Sequence, residues 1–417
     1  MNKKHIRFIS FILAGMTMVV SCIGCAKETY SLKSSKELTK DMERAERNSE
    51  GTDYSQYVNY AADFSIDLFR RSIDGNDNCV ISPVSVMLSL GMTANGASGD
   101  TLSQMIQTIG GEADIEELNA FYSYLIDTVS SDGSASGLSI ANSLWIKNTL
   151  EDYVQDEFLE TVAGDYDAQV FSSLFDDSTI DDVNSWTDYY TDGLIDEIIE
   201  RIEENHIMYI VSAVAFDAKW ETEYGDEDIS EGQFTGSDGT KADVKIMNSV
   251  ENLYISGDDV TGFIKPYDGN YSFAAFLPDE NTDINTFIES LDGDSFMELV
   301  LGAEEKEVHA GIPEFESSSG VDMAGILKDM GIADAFTTDA DFTNMLSADG
   351  PAGVEIDSIL HKTNISVNAE GTKAASATNT VIDTRGAEVV YLDRPFVYAV
   401  IDDTTSLPVF IGVVTEM

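Results

Sequence analysis

Between Asn368 and Arg385 the chain reads Asn-Ala-Glu-Gly-Thr-Lys-Ala-Ala-Ser-Ala-Thr-Asn-Thr-Val-Ile-Asp-Thr-Arg, a run of small residues with nothing large to anchor it. Thr372, Ala374, Ser376, Thr378, Thr380 and Ile382 fall on alternate positions, so in a strand they would share one face. A segment this bland is poorly held as a loop, yet its small face suits it to slot into a sheet. It reads either as an ordinary Ala/Ser/Thr-rich surface loop or as a strand with two states, one outside a sheet and one within it.

The first residues do not belong to the fold. Lys3, Lys4 and Arg7 precede a mostly apolar run from Phe8 to Val20, too short to span a bilayer comfortably and suited to a secretory signal. It ends in Val19-Val20-Ser21-Cys22, which resembles the lipobox of bacterial lipoproteins, where the signal is cut before a cysteine that carries the lipid. Residues 1–21 are then the signal peptide and Cys22 the lipidated residue. Cys25 is the alternative, although it would put a cysteine at the usual aliphatic position. Plain secretion is the other outcome, so the expected location is a bacterial cell surface, lipid-anchored, or the medium. Residues 22–52 read as a lipid-anchored polar tether, with six basic and six acidic residues between positions 26 and 52.

Only Cys79 lies beyond the tether, so no disulfide can form within the body and the core must stabilise it. Residues 53–417 carry 14 basic and 70 acidic side chains, a formal charge of −56. Such a field repels nucleic acid and heparin-like polysaccharide and keeps the protein soluble. With no linker, repeat or low-complexity break after residue 53, one large mixed domain is the simplest reading.

Apolar spacing from Tyr54 to Ile73 suits an amphipathic helix, and Ser82-Pro83 opens a second one, to Asn95, as a cap and first-turn proline. Leu138 to Ile146, Tyr209 to Trp220 and Tyr271 to Leu277 read as strands, the last two nearly continuous in apolar residues and so buried on both faces. Val389 to Asp402 and Leu407 to Val414 read as two long strands joined at 403–406. The mixture is α+β.

A set of short motifs, in order, resembles the serpins, a family of protease inhibitors that insert a loop into their own main sheet. Asn78-Cys79-Val80-Ile81-Ser82-Pro83-Val84-Ser85 is similar to the segment where small hydroxyl residues lie under sliding strands. Ala94-Asn95-Gly96-Ala97-Ser98-Gly99-Asp100-Thr101 and Ile140-Ala141-Asn142-Ser143-Leu144-Trp145 resemble a helix-opening turn and an early strand of that sheet. Ala215-Phe216-Asp217-Ala218-Lys219-Trp220 resembles the strand ending in a tryptophan where insertion begins. Ile312-Pro313-Glu314-Phe315, Gly331-Ile332-Ala333-Asp334-Ala335-Phe336, Ile359-Leu360-His361-Lys362 and Arg394-Pro395-Phe396 complete the set, which spans most of the domain.

The resemblance implies three β-sheets, about eight or nine helices and an exposed reactive-centre loop. It makes Glu370, Gly371, Thr372, Lys373, Ala374, Ala375, Ser376 and Ala377 the hinge, and Ser82, Ser85, Ser212, Trp220 and His361 the region where the sheet opens. Two departures stand out. Ser212 takes a position where the family usually has Asn, which puts its hydrogen bond to His361 in doubt, and Lys373 takes the place of a usual Glu. Counted from Gly371, the bond presented to a protease is Arg385–Gly386; counted back from Pro395, it follows Thr384. Five arginines in 365 residues make one at that site unlikely by chance and favour Arg385, which suits a protease with an acidic specificity pocket.

The implied partner is an extracellular, trypsin-like serine protease, with elastase-like or subtilisin-like targets if the register shifts. The protein is expected to be a monomer without cofactor or metal, touching the membrane by its lipid anchor only. Against an enzyme, the chain has neither G-x-S-x-G nor H-E-x-x-H, and His206, His309 and His361 are scattered. A non-inhibitory serpin acting as a binding or chaperone-like surface protein is the other alternative. Such members usually carry bulky, charged or proline residues on the inward hinge positions, which this chain lacks.

Overall fold

The computed structural model describes residues 30–42, 52–130, 138–203, 205–216, 218–369 and 387–417. In chain order these form β1 (Lys36–Glu37), α1 (Ser55–Ser72), β2 (Cys79–Ile81), α2 (Pro83–Ala94), α3 (Gly99–Gly110), α4 (Ile115–Ser130), β3 (Leu138–Lys147), α5 (Asp156–Tyr166), β4 (Gln169–Ser173), α6 (Asp177–Tyr190) and β5 (Met208–Phe216). Then come β6 (Ile229–Thr235), β7 (Lys241–Ser256), β8 (Val260–Pro266), β9 (Tyr271–Pro278), α7 (Ile284–Ser290), α8 (Gly293–Leu301), β10 (Glu304–Pro313), β11 (Phe315–Asp322) and α9 (Ala324–Asp329). The chain closes with β12 (Ser358–Val367), β13 (Glu388–Tyr391), β14 (Phe396–Asp402) and β15 (Pro408–Val414).

The main sheet has six strands in the order β1-β4-β3-β5-β12-β11. All nine residues of β5 are buried, as its nearly continuous apolar run predicts. On one face of this sheet lies α2, every residue of which is buried. On the other, Trp186 and Val183 of α6 close a second core over Ala141, Trp145, Phe171, Tyr209, Val211 and Ala213. Beside α6, Asn184 ties down the following segment by accepting from the N–H groups of Ile198 and Ile199.

The second sheet runs β13-β10-β7-β8-β9-β14-β15-β2, with β6 on β7. Two of the three expected sheets are continuous in hydrogen bonding because β7 is 16 residues long. It carries β6 along 241–247 and β8 along 253–256, so one strand serves both layers. The single long strand expected from Val389 to Asp402 is two strands, β13 and β14, broken at 392–395. Pro395, which has no N–H for a ladder, stands at this break, and the halves pair with different partners, β10 and β9.

Residues 30–42 fall within the stretch read above as a tether, and the structure seats them on the domain. Lys36 and Glu37 pair antiparallel with β4 and cover an otherwise open edge. Tyr30 packs edge-on against Phe171 and at a tilt against Tyr189 and Tyr190. The N–H groups of Lys33, Ser34 and Ser35 all donate to the Asp182 carboxylate, the latter two at 3.0 and 2.8 Å. Burial works against this carboxylate's charge, but these donors outweigh it and hold its pKa below the ordinary aspartate value.

Candidate functional site

The junction of β5 and β12 is parallel and in register from Tyr209–Ser358 to Phe216–Ile365. The far side of β12 is taken by β11, antiparallel. A chain leaving the end of β12 and turning back therefore has one place to enter this sheet, between β12 and β5. There it would run antiparallel to both, exchanging one parallel ladder for two antiparallel ones, the slightly more stable kind per residue.

Small polar side chains hold the centre of this junction. Ser212 lies on β5 beside His361 on β12, in register. Ser82 donates its backbone N–H to His361 Nε2 at 3.0 Å. Nε2 is thus the bare nitrogen, and Nδ1 carries the proton, 3.2 Å from Ser212 Oγ. Ser85 Oγ lies 2.6 Å from Ser212 Oγ and donates to Asn142 Oδ1 at 3.1 Å. Ser89 Oγ donates to the same oxygen at 3.0 Å. Burial pushes the His361 pKa down to about 4, against an opposing pull from the Ser212 backbone, so the ring is neutral at pH 7.

Of the expected sheet-opening residues, Ser85, Ser212 and His361 meet through their side chains, and Ser82 joins through its backbone. The Ser82 hydroxyl makes no hydrogen bond among the described residues and does not cap α2 as expected. The doubt over Ser212 resolves in favour of contact: its hydroxyl reaches His361, and Asn142, its register partner on β3, supplies the amide from the neighbouring strand. Asn142 was quoted in the sequence motif but given no role. An inward amide within a strand otherwise small or apolar was the available signal.

Trp220 sits apart from this cluster. β5 ends at Phe216, and Trp220 follows as an isolated bridge to Tyr267. Its ring stacks on Tyr267 at 4.2 Å and 9° and meets Phe273 edge-on. Its indole N–H donates to the carbonyl of Asn368 at 3.1 Å. Asn368 is the first residue past β12, so the tryptophan holds the chain just ahead of the expected hinge. The hinge residues Glu370 to Ala377, the bond candidates Thr384, Arg385 and Gly386, and Cys22 and Cys25 lie outside the described residues. Among the described residues no group of His, Cys, Asp and Glu side chains is placed to hold a metal ion, and no helix is long and apolar enough to cross a membrane.

Comparison with known proteins agrees with this geometry. The family profile "Serpin (serine protease inhibitor)" matches residues 59–417. Serpin-ZXA of Oryza sativa subsp. japonica is 28% identical over 80% of this chain and 89% of its own length. Serpin-ZX of Arabidopsis thaliana is 28% identical over 83% of this chain and 93% of its own. Among solved structures, the thermophilic serpin tengpin in its native state is 40% identical with a TM-score of 0.84, over 92% of this chain and all of the other. Tengpin in its latent state overlays less closely, at 38% identity and a TM-score of 0.75, over 89% of this chain and all of the other.

Proposed function

The chain belongs to the serpin family, and we propose that it traps a trypsin-like serine protease as a suicide substrate, with Arg385–Gly386 as the bond presented. The observation that carries this reading is the pairing of a small-faced hinge with a separable junction beside it. The face of Thr372, Ala374, Ser376, Thr378, Thr380 and Ile382 matches a slot between β5 and β12 whose centre is held by serines and one neutral histidine.

The protease's serine oxygen attacks the carbonyl carbon of Arg385, and the bond to the Gly386 nitrogen breaks as that nitrogen takes up a proton. The acyl-enzyme remains joined to a hinge that has lost one of its two attachments. The segment 372–382 then enters the main sheet, gaining ladder hydrogen bonds and burying its small face. The acylated protease is carried with it before water completes the second half of hydrolysis. Insertion by a metastable native state is the driving force, as in other serpin loop insertions. We further propose that Cys22 carries a lipid and holds the inhibitor at a bacterial cell surface, where its acidic field favours basic proteases.

Mixing the purified domain with trypsin tests the reading. A complex that survives SDS is expected; cleaved inhibitor beside free, active trypsin sinks it and leaves a non-inhibitory binding protein. Arg385→Ala should abolish the complex with trypsin, and retained trapping would move the bond to Thr384. Thr372→Arg places a charge on the inward hinge face, where unpaired burial costs several kcal/mol. It should turn inhibitor into substrate, and unchanged trapping would argue against insertion.

A further inference from the structure

Lys265 of β8 is a buried cation, its side chain only 2% exposed. Its ammonium donates to Glu251 Oε1 of β7 at 2.9 Å and to the Thr222 carbonyl at 3.4 Å. It lies 5.3 Å from the Trp220 ring centroid and 4.6 Å from that of Tyr224. Tyr224 in turn meets Trp220 edge-on. An apolar residue would fill this site at lower cost, since buried ion pairs seldom stabilise a fold more than well-packed hydrophobic replacements do. The pair therefore calls for a role other than stability.

We propose that Lys265 is a positioning residue for the hinge, its ammonium fixing the Trp220 ring whose N–H holds the Asn368 carbonyl. Glu251 and Lys265 stand on strands of the second sheet, which keeps its ladders during insertion. Trp220 stands on the connection from β5 to β6, beside the slot. The pair thus ties the fixed sheet to Asn368, just ahead of the moving segment. A cation over an indole face is attracted by the ring's quadrupole, more strongly where water is excluded. Holding the ring keeps the grip on Asn368, and the grip delays entry of the uncleaved loop.

The inference rests on the insertion mechanism above, but its test uses no protease. The full-length intact protein is incubated at a temperature where the wild type slowly converts to a form more resistant to urea, and conversion is followed by circular dichroism. Lys265→Met with Glu251→Gln removes both charges together and leaves neither one stranded. It should convert about thirtyfold faster, the factor a desolvated cation–π contact carries. Glu251→Gln alone strands the ammonium, a cost that native and converted forms share if the second sheet is unchanged, and keeps the cation over Trp220; its urea midpoint should fall while its conversion rate stays close to the wild type's. Trp220→Phe keeps a ring but loses the N–H, and should match the double variant. Equal rates in all four proteins, including no conversion in any, would overturn the proposal. So would a Glu251→Gln rate equal to the double variant's, which would reduce the pair to a stability element. Failure of wild-type trypsin trapping, measured separately, would instead count against the proposed function.

Discussion

The two sheets are held together by different means. At the centre of the second, Phe273, Phe276, Tyr398, Val400, Phe410 and Ile411 are all at most 1% exposed, and separating their strands would lose that burial outright. At the centre of the main sheet, β5 meets β12 over Ser85, Ser212, Asn142 and His361, whose contacts are short and directional. Hydrogen bonds of this kind can be broken and remade with a new strand, and hydroxyls take up little room in doing so. Under the proposed insertion, dispersion-rich packing lies where strands would stay and small polar packing where they would part.

The sharpest way to break this contrast is to hollow the fixed sheet. Phe276, on β9, packs against Phe296 of α8 at 5.6 Å between ring centroids. Phe276→Ala should cost about 3–5 kcal/mol, as large aromatic deletions in cores do. It should show as a lower urea midpoint, with trypsin trapping by the folded fraction unchanged. A rise in the fraction of inhibitor cleaved without trapping would mean that the second sheet takes part in insertion.

The next effect belongs to the separable junction and depends on pH. With a native pKa of about 4 against an ordinary 6.5, His361 is neutral in both folded and unfolded chains above pH 6.5. As pH falls through the window from 6.5 to about 4, the unfolded chain binds a proton that the native site refuses. Stability therefore drops by about 3 kcal/mol across that window and levels off below it. Carboxylates titrate in the same range, so the measurement is a difference: urea unfolding of wild type against His361→Gln, point by point in pH. The wild type should lose about 3 kcal/mol more than the variant, and parallel curves would show that His361 does not stay neutral.

Much of this arrangement was legible in the sequence, for identifiable reasons. β5 and β9 declared themselves by nearly continuous apolar runs, and the α2 start by Ser82-Pro83, because burial and turn chemistry are local signals. Ser85 and His361 came from resemblance, since nothing in a lone serine or histidine names its partner. The docking of residues 30–42 was not legible: it depends on Asp182, about 150 residues away, gathering three backbone N–H groups. Lys265 was missed for a similar reason. A lysine within an apolar strand reads as a surface position until Glu251, on another strand, is found beside it. The break at 392–395 was overlooked although Pro395 marked it, because the flanking apolar residues continued the strand pattern on both sides.

The smallest effect distinguishes a network from a set of separate bonds. Ser212→Ala removes the hydroxyl that accepts from His361 Nδ1 and touches Ser85, while Ser85 and Ser89 keep Asn142 Oδ1. One buried N–H is then left without its partner, at a cost of about 1–3 kcal/mol. The expected result is a modest fall in urea midpoint together with faster conversion of the uncleaved protein to its urea-resistant form, since the bond lost spans the parallel ladder that insertion must open. Glu251→Gln, on β7, should leave that rate unaltered, so faster conversion of Ser212→Ala reports the junction rather than lost stability alone. A loss as large as that of Phe276→Ala, with no change in conversion rate, would place Ser212 in rigid core packing and remove the distinction between the two sheets.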